Sequence, residues 1–369
     1  SIENRREIEQ AKDAGHARGV WRRTTLAEYR KAAPAWETVL DLDSLASSEK
    51  ENWVWGGSIP LPPAFTRTLV GLSRGGADAK VWREFDLVEK RFVDGGFSLP
   101  ESKSEIGWID RDRVYLGLAF DSTTQTASGY PRVVKEWRRG TPLSTATPVF
   151  EGKTEDVAVG AAHHFRPGFE YDFVERWITW TTSELFLRRG GSLIPVEKPP
   201  DSDATMFREW LLLRLVSDWS VAGEPYPAGA LVATKFEDFL AGKREFTVLF
   251  RPTERSTLTS YAPAQNALYL NELNNMKTRV YALRPQSGAW SRIEIPEVPE
   301  LETVTISSVD YLQSDDYWLN ATGFLTPPRV ALGSLGGGRA EPLKQGPAFF
   351  NATGLAVSYR SSNIDVEFD

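Results

Sequence analysis

Cysteine is absent from the sequence, which removes disulfides, thiolate nucleophiles and thiolate-bound metals at once, although it names no compartment. Histidine is nearly absent: His16, His163 and His164 are too few for a histidine-rich metal cage. Long apolar runs are also missing. The longest, around Trp210-Leu211-Leu212-Leu213, is bounded by Arg208 and Arg214, far short of the roughly 20 residues that a membrane-spanning helix needs. No signal peptide is legible at the start, so the expectation is a soluble chain, cytoplasmic by default with the periplasm open. Positive charge is in deficit, with a net charge of −7 and a pI near 5.3. That balance disfavours nucleic acid as a partner, because a phosphate backbone demands a concentrated basic face.

Helical periodicity is scarce as well. Thr234–Gly242 reads as one short helical turn, and Ser1–Lys12 reads equally as a helix, from its Glu, Arg, Gln and Ala content, or as a polar edge strand. What remains is apolar and β-favouring: 41% hydrophobic and 12% aromatic residues, enough for a sizeable core. Val20-Trp21, Val81-Trp82, Val133-Val134, Leu185-Phe186, Leu231-Val232, Val280-Tyr281 and Val330-Ala331 recur at intervals of 61, 52, 52, 46, 49 and 50 residues. Most run into a polar or glycine-bearing turn and a second apolar strand, as across Arg189-Gly190-Gly191 and Gly336-Gly337-Gly338. Further strand-like runs, such as Arg113–Leu118 and Ala267–Leu270, raise the count to about four strands per unit. A fixed period of this length is the signature of a propeller. The expectation is an all-β, seven-bladed β-propeller with about four antiparallel strands per blade, a single domain over 1–369. Asn363–Asp369 alternates like a strand, and such a strand can close the ring on the first blade.

Several stretches carry a family likeness. Gly19–Thr25, Trp36–Asp41, Glu51–Trp55, Leu72–Asp78, Gly129–Lys135, Ser183–Phe186, Phe324–Pro327 and Glu341–Lys344 resemble, in a consistent order from about 13 to about 358, the propeller of bacterial members of the prolyl oligopeptidase family. The resemblance implies a non-catalytic propeller whose central channel admits short or flexible peptides to an α/β-hydrolase domain. That domain would follow the propeller and is missing from this chain, so its partners would be the absent hydrolase domain and peptides. The ends, 1–12 and 359–369, depart from the family pattern, as in a truncated or engineered chain. A scaffold that binds a small molecule or protein at the channel mouth is the alternative. An autonomous propeller enzyme, a glycosidase or lactonase, would need carboxylates or a metal at the ring centre that the spacing does not call for.

No catalytic residue, cofactor or metal is expected. Gly71-Leu72-Ser73-Arg74-Gly75 matches the nucleophile-elbow pattern G-x-S-x-G, but that pattern works only where a strand turns sharply into a helix. Here Gly75–Asp78 and a second strand, Val81–Leu87, follow, which reads as a hairpin. His163 and His164 lie before Phe165-Arg166-Pro167-Gly168 in an expected loop, without a third metal ligand beside them. The carboxylates Asp315-Asp316 and Asp41/Asp43 read as turn and blade-edge groups, since neighbours on a strand face opposite ways. Trp108, Trp180, Trp210 and Trp318 fall in or beside expected inner strands, mostly as packing between blades. Trp180, Trp210, His163 and His164 are the candidate channel or loop contacts.

Overall fold

A computed structural model describes residues 6–358 apart from 14, 287, 288, 297 and 300. Chain contacts divide it into two compact units, Ser1–Ser202 with Glu237–Lys243, and Asp203–Phe236 with Arg244–Asp369.

The first unit holds three sheets. Strands Arg6–Asp13, His16–Thr25 and Glu37–Asp41 form an antiparallel three-stranded sheet. The N-terminal segment is therefore the edge strand, not the helix, of the two readings its composition allows; residues 1–5 lie outside the described residues. An eight-stranded sheet runs from Trp53–Pro60 to Thr147–Glu151. A four-stranded sheet follows, made of Ala158–His164, Tyr171–Trp177, Ser183–Arg189 and Ser192–Val196. Its last hairpin turns through Gly190 (φ 57°) and Gly191 (φ 83°), the pair of left-handed residues that a tight two-residue turn needs. Two helices stand where no helical period was legible, Leu26–Tyr29 and Leu42–Glu49. The second is short enough to be specified by its ends: Asp41 accepts hydrogen bonds from the backbone of Asp43 and Ser44, and Lys50 closes it in the left-handed conformation.

The second unit holds three four-stranded sheets, Asp203–Phe250, Ser256–Glu294 and Thr303–Gln345, and a two-stranded hairpin of Trp219–Val221 with Glu224–Tyr226. Central strands such as Leu268–Asn274 are buried along most of their length. Edge strands alternate instead, as in Thr303–Ser308. That contrast follows from packing on two faces or one. The helical turn expected after Thr234 is Phe236–Leu240. The strand expected over 363–369, with its ring closure, lies outside the described residues.

The propeller architecture stands, but the blade count does not. Five sheets have four or more strands, one of eight and four of four, so the propeller is five-bladed, not seven-bladed. One cause is the short first sheet; the other is the 13-residue strand Ser98–Asp110. It pairs through Ser98, Leu99 and Ser102 with Lys80–Asp86, then through Lys103–Asp110 with Arg113–Ala119. Hydrogen bonding is thus continuous through what the repeat period counts as two units. The first repeat supplies a sheet of three strands.

Each unit has its own apolar clusters. In the first, Trp21, Trp53, Val70, Leu72 and Phe85 form one, and Leu69, Trp82, Phe97, Trp108 and Leu116 form another. In the second, Phe207, Leu212, Leu231, Leu268 and Leu270 pack together. Burying each such side chain stabilises the fold by about 1.5–3 kcal/mol.

Candidate functional site

A polar cleft of the first unit is a pocket of about 510 Å³ lined by residues of the strands Trp53–Pro60, Lys80–Asp86 and Ser98–Asp110 and by Tyr130. Glycine makes the room. A Cβ at Gly56 would meet the Gly71 carbonyl oxygen at 2.9 Å and the Lys80 stem at 3.1 Å, whereas Gly57 and Gly76 open onto empty space. Lys80 extends over Gly56 toward the Trp82 ring, its Nζ 5.6 Å from the ring centroid. The Lys103 ammonium stands 4.7 Å above the Tyr130 ring and 3.7 Å from Asp78. Burial pushes the Glu105 carboxyl above its usual range, opposed in part by the positive charge of Lys80. Trp180 stands edge-on to Tyr130 at 6.0 Å and is 74% exposed. The cleft thus combines two cations, two carboxyl groups and an aromatic wall.

A second polar cluster lies between strands of neighbouring sheets of the same unit. His163 Nδ1 is 3.1 Å from Asp172 Oδ1, which also accepts from the Tyr115 hydroxyl at 2.8 Å. Arg188 donates to that hydroxyl at 2.8 Å and to Glu136 at 2.6 Å. Arg113 then joins Glu136, at 3.1 Å, to Asp110, at 2.8 Å. Burial works to raise the Asp172 pKa, but the hydrogen bonds from His163 and Tyr115 and the nearby charge of Arg188 outweigh it and hold the carboxyl low. Burial also keeps the Tyr115 hydroxyl protonated well above its ordinary range. The cluster is a chain of satisfied partners, which ties strands together without offering a nucleophile.

The sequence candidates separate. His163 and His164 end the strand Ala158–His164 rather than sitting in a loop; the apolar run Ala158–Ala162 carries the strand up to them. His164 has no partner for its buried Nε2 among the described residues, and burial, with Arg166 and His163 nearby, lowers its pKa to about 4. Trp180 is in the exposed turn after Tyr171–Trp177, not packed between blades as its neighbourhood suggests. Trp210 lies in the second unit, under the Lys235 ammonium at 4.1 Å and against Trp290 at 5.2 Å. Asp315 binds Arg284 at 3.2 Å and the Asn266 amide at 2.6 Å, while Asp316 accepts from Ser334. Lys80, Lys103, Glu105 and Tyr130 were missed, because no motif joins residues spread over 50 positions and brought together only by strand pairing.

The elbow-like segment is accounted for in full. Ser73 lies within the strand Arg67–Arg74, paired with Val54 of the antiparallel neighbour, and is 3% exposed. Gly71 leaves room for the Trp82 indole, and Gly75 takes φ 68° in the turn to the next strand. Among the described residues, no group of three or more His, Asp or Glu side chains is placed to hold a metal ion. No helix among them is long and apolar enough to cross a membrane.

Residues 9–346 match the family of prolyl oligopeptidase N-terminal β-propeller domains. An uncharacterized peptidase of Sinorhizobium fredii is 33% identical over 353 residues, 93% of this chain and 48% of the relative. An uncharacterized peptidase of Rickettsia prowazekii is 25% identical over 345 residues, 87% of this chain and 47% of the relative. Among solved structures, a post-proline cleaving enzyme from Rickettsia typhi superposes with a TM-score of 0.85 at 23% identity, covering 94% of this chain and 52% of that one. Oligopeptidase B from Leishmania major gives 0.68 at 15% identity, covering 97% and 50%. The chain spans about half the length of the curated relatives it matches. An all-β propeller with the family's sequence across nearly its whole length, this chain belongs to the prolyl oligopeptidase N-terminal β-propeller family.

Proposed function

We propose that this chain is the substrate-gating part of a prolyl oligopeptidase family serine peptidase, a propeller that restricts access to a hydrolase domain so that short or flexible peptides pass and folded proteins do not. The hydrolase domain and peptides are its partners in this reading. The observation that carries it is the family match over residues 9–346 in a chain half as long as its peptidase relatives. The strand–turn–strand setting of Ser73 supports it, since a serine at the end of a hairpin strand lacks the sharp strand-to-helix turn that exposes a nucleophile. Gating then works by steric exclusion, with movement between the propeller and the hydrolase domain as the opening step.

The test is a ladder of proline-containing fluorogenic peptides of increasing length, assayed with the full-length peptidase that carries this propeller. kcat/KM should collapse beyond a threshold length, and a denatured protein substrate should be cut where its folded form is not. Length-independent cleavage, or equal cleavage of a folded protein, would overturn the reading. So would peptide hydrolysis by the present chain alone that disappears in Ser73→Ala.

The alternative, a propeller scaffold that binds a small molecule, is favoured by one observation: the polar cleft at Lys80 and Lys103. A ligand held there with no effect on peptide cleavage by the full-length enzyme would select it.

A further inference from the structure

We propose that the cleft bounded by Lys80, Lys103 and Tyr130 is a subsite for the free carboxylate end of a short peptide. Lys80 and Lys103 are its cations, and Tyr130 with Trp180 forms the wall for the peptide's last side chain. The proposal rests on the peptide-handling reading above and gives that reading a binding chemistry.

The cations have binding capacity to spare. Lys80 has no carboxylate within ion-pair distance among the described residues; its ammonium lies over the Trp82 ring at 5.6 Å and acts on Glu105 at longer range. Lys103 meets Asp78 at 3.7 Å, longer than a hydrogen bond, and the Asp78 side chain is 70% exposed. An exposed contact of that length is screened by water and contributes little. Each ammonium carries three donors, and both line the cleft that the carboxylate would enter.

The acids of the cleft set the charge of the ligand. Burial pushes the Glu105 carboxyl above its usual range, and the positive charge of Lys80 opposes that shift. Asp78, whose side chain is 70% exposed, is the second carboxyl group of the cleft. One negative charge is welcome beside two lysines; a dianion such as phosphate meets stronger repulsion from the Asp78 and Glu105 carboxyl groups that line the same cleft. A terminal carboxylate supplies one negative charge, and the amide N–H groups before it suit the carboxyl acceptors.

Size and surface agree with an oligopeptide end. The volume, about 510 Å³, falls in the range of roughly 300–1,000 Å³ usual for small-ligand clefts. A Cβ at Gly57 or Gly76 would meet nothing within 4 Å, so a ligand backbone can approach closely at both places. Trp180 is large, apolar and 74% exposed, and its edge contact with Tyr130 extends the aromatic wall out of the cleft. Exposed tryptophans are costly to leave in water and recur where a partner covers them.

The test is calorimetric titration of this chain with N-acetyl-Ala-Pro-Phe bearing a free C-terminal carboxylate, and with the same peptide as its C-terminal amide. The acid should bind saturably at least about tenfold more tightly than the amide, the factor expected from charge-assisted hydrogen bonds. Lys80→Met and Lys103→Met should each remove most of that preference, Lys103→Arg should keep it, and Trp180→Ala should weaken acid and amide alike. Equal affinity for acid and amide, full acid binding by the double lysine variant, tighter binding of inorganic phosphate than of the acid, or no saturable binding in the millimolar range would each overturn the proposal. The comparison of acid with amide needs no variant, so a lysine variant that fails to fold leaves it decisive. Gating is read separately from the peptide-length series: loss of the carboxylate preference with length selection intact removes the subsite alone, and the converse removes gating alone.

Discussion

The Trp82 indole lies against Gly71 of the adjacent strand, so that a Cβ on Gly71 would come within 3.0 Å of two ring carbons. The same indole donates from Nε1 to Ser104 at 3.0 Å and carries the Lys80 ammonium over its face. A glycine that resembles part of a catalytic motif is thus a packing position, and the indole it accommodates contacts Lys80 and Ser104, both of which line the cleft.

Gly71→Ala should therefore act as an overpacking substitution. Trp82 is buried and held by its hydrogen bond, so it cannot retreat without losing contacts. A destabilisation of about 1–3 kcal/mol is expected, read as a fall of a few degrees in Tm by thermal denaturation. An unchanged Tm would mean that the indole has room that the packing denies it.

Arg188→Met removes the donor shared by Tyr115 and Glu136. Both groups are then left partly buried, with Glu136 retaining only Arg113. A loss of about 2–3 kcal/mol follows from leaving a partly buried carboxylate and hydroxyl short of partners. Denaturant titration should find the double variant with Glu136→Gln less destabilised than the two single losses add up to. Simple additivity would show that the cluster is not coupled.

Stability should fall on mild acidification because of His164. Its folded pKa, about 4, lies below the unfolded value near 6.5. The stabilisation is thus complete above pH 6.5, where both states are neutral, and is lost as pH drops toward 4, because the unfolded chain takes up a proton that the folded chain refuses. Tm measured from pH 7 to pH 4.5 should decline, and His164→Phe should flatten part of that decline. An identical pH profile in the variant would remove His164 as its source.

The buried Lys198 ammonium shares its three donors among four carbonyl groups, those of Ser202 at 2.9 Å, Pro199 at 3.3 Å, and Ser183 and Pro200 at 3.4 Å. Lys198→Met keeps most of the stem and deletes the donors. A cost of about 1–3 kcal/mol is expected from the lost bonds, although the Pro199 and Pro200 carbonyls keep donors from Ser202 and Ser183. Hydrogen exchange should report it locally, as faster exchange of the Ser183 amide, which bonds the Pro200 carbonyl at 2.8 Å. Uniform exchange change across the unit would assign the loss elsewhere.

The sequence by itself determined that the chain is β-rich, that its strands pair in successive hairpins, and that Ser73 sits in one of them. Those properties are local: alternation, turn residues and a near-fifty-residue period lie in contiguous stretches, and the order of motifs from Gly19–Thr25 to Glu341–Lys344 carried the family likeness. Tertiary structure decided the rest. Whether Ser98–Asp110 ends one sheet or joins two depends on which partners its halves meet; that merger removed one of the seven expected blades, and the three-stranded sheet of the first repeat removed the other. Helix Leu42–Glu49 was too short to display a period and is specified by its caps. The exposure of Trp180 and the convergence of Lys80, Lys103, Glu105 and Tyr130 depend on strand pairing between distant segments, and pairing energy is shared along whole strands rather than written at any one residue.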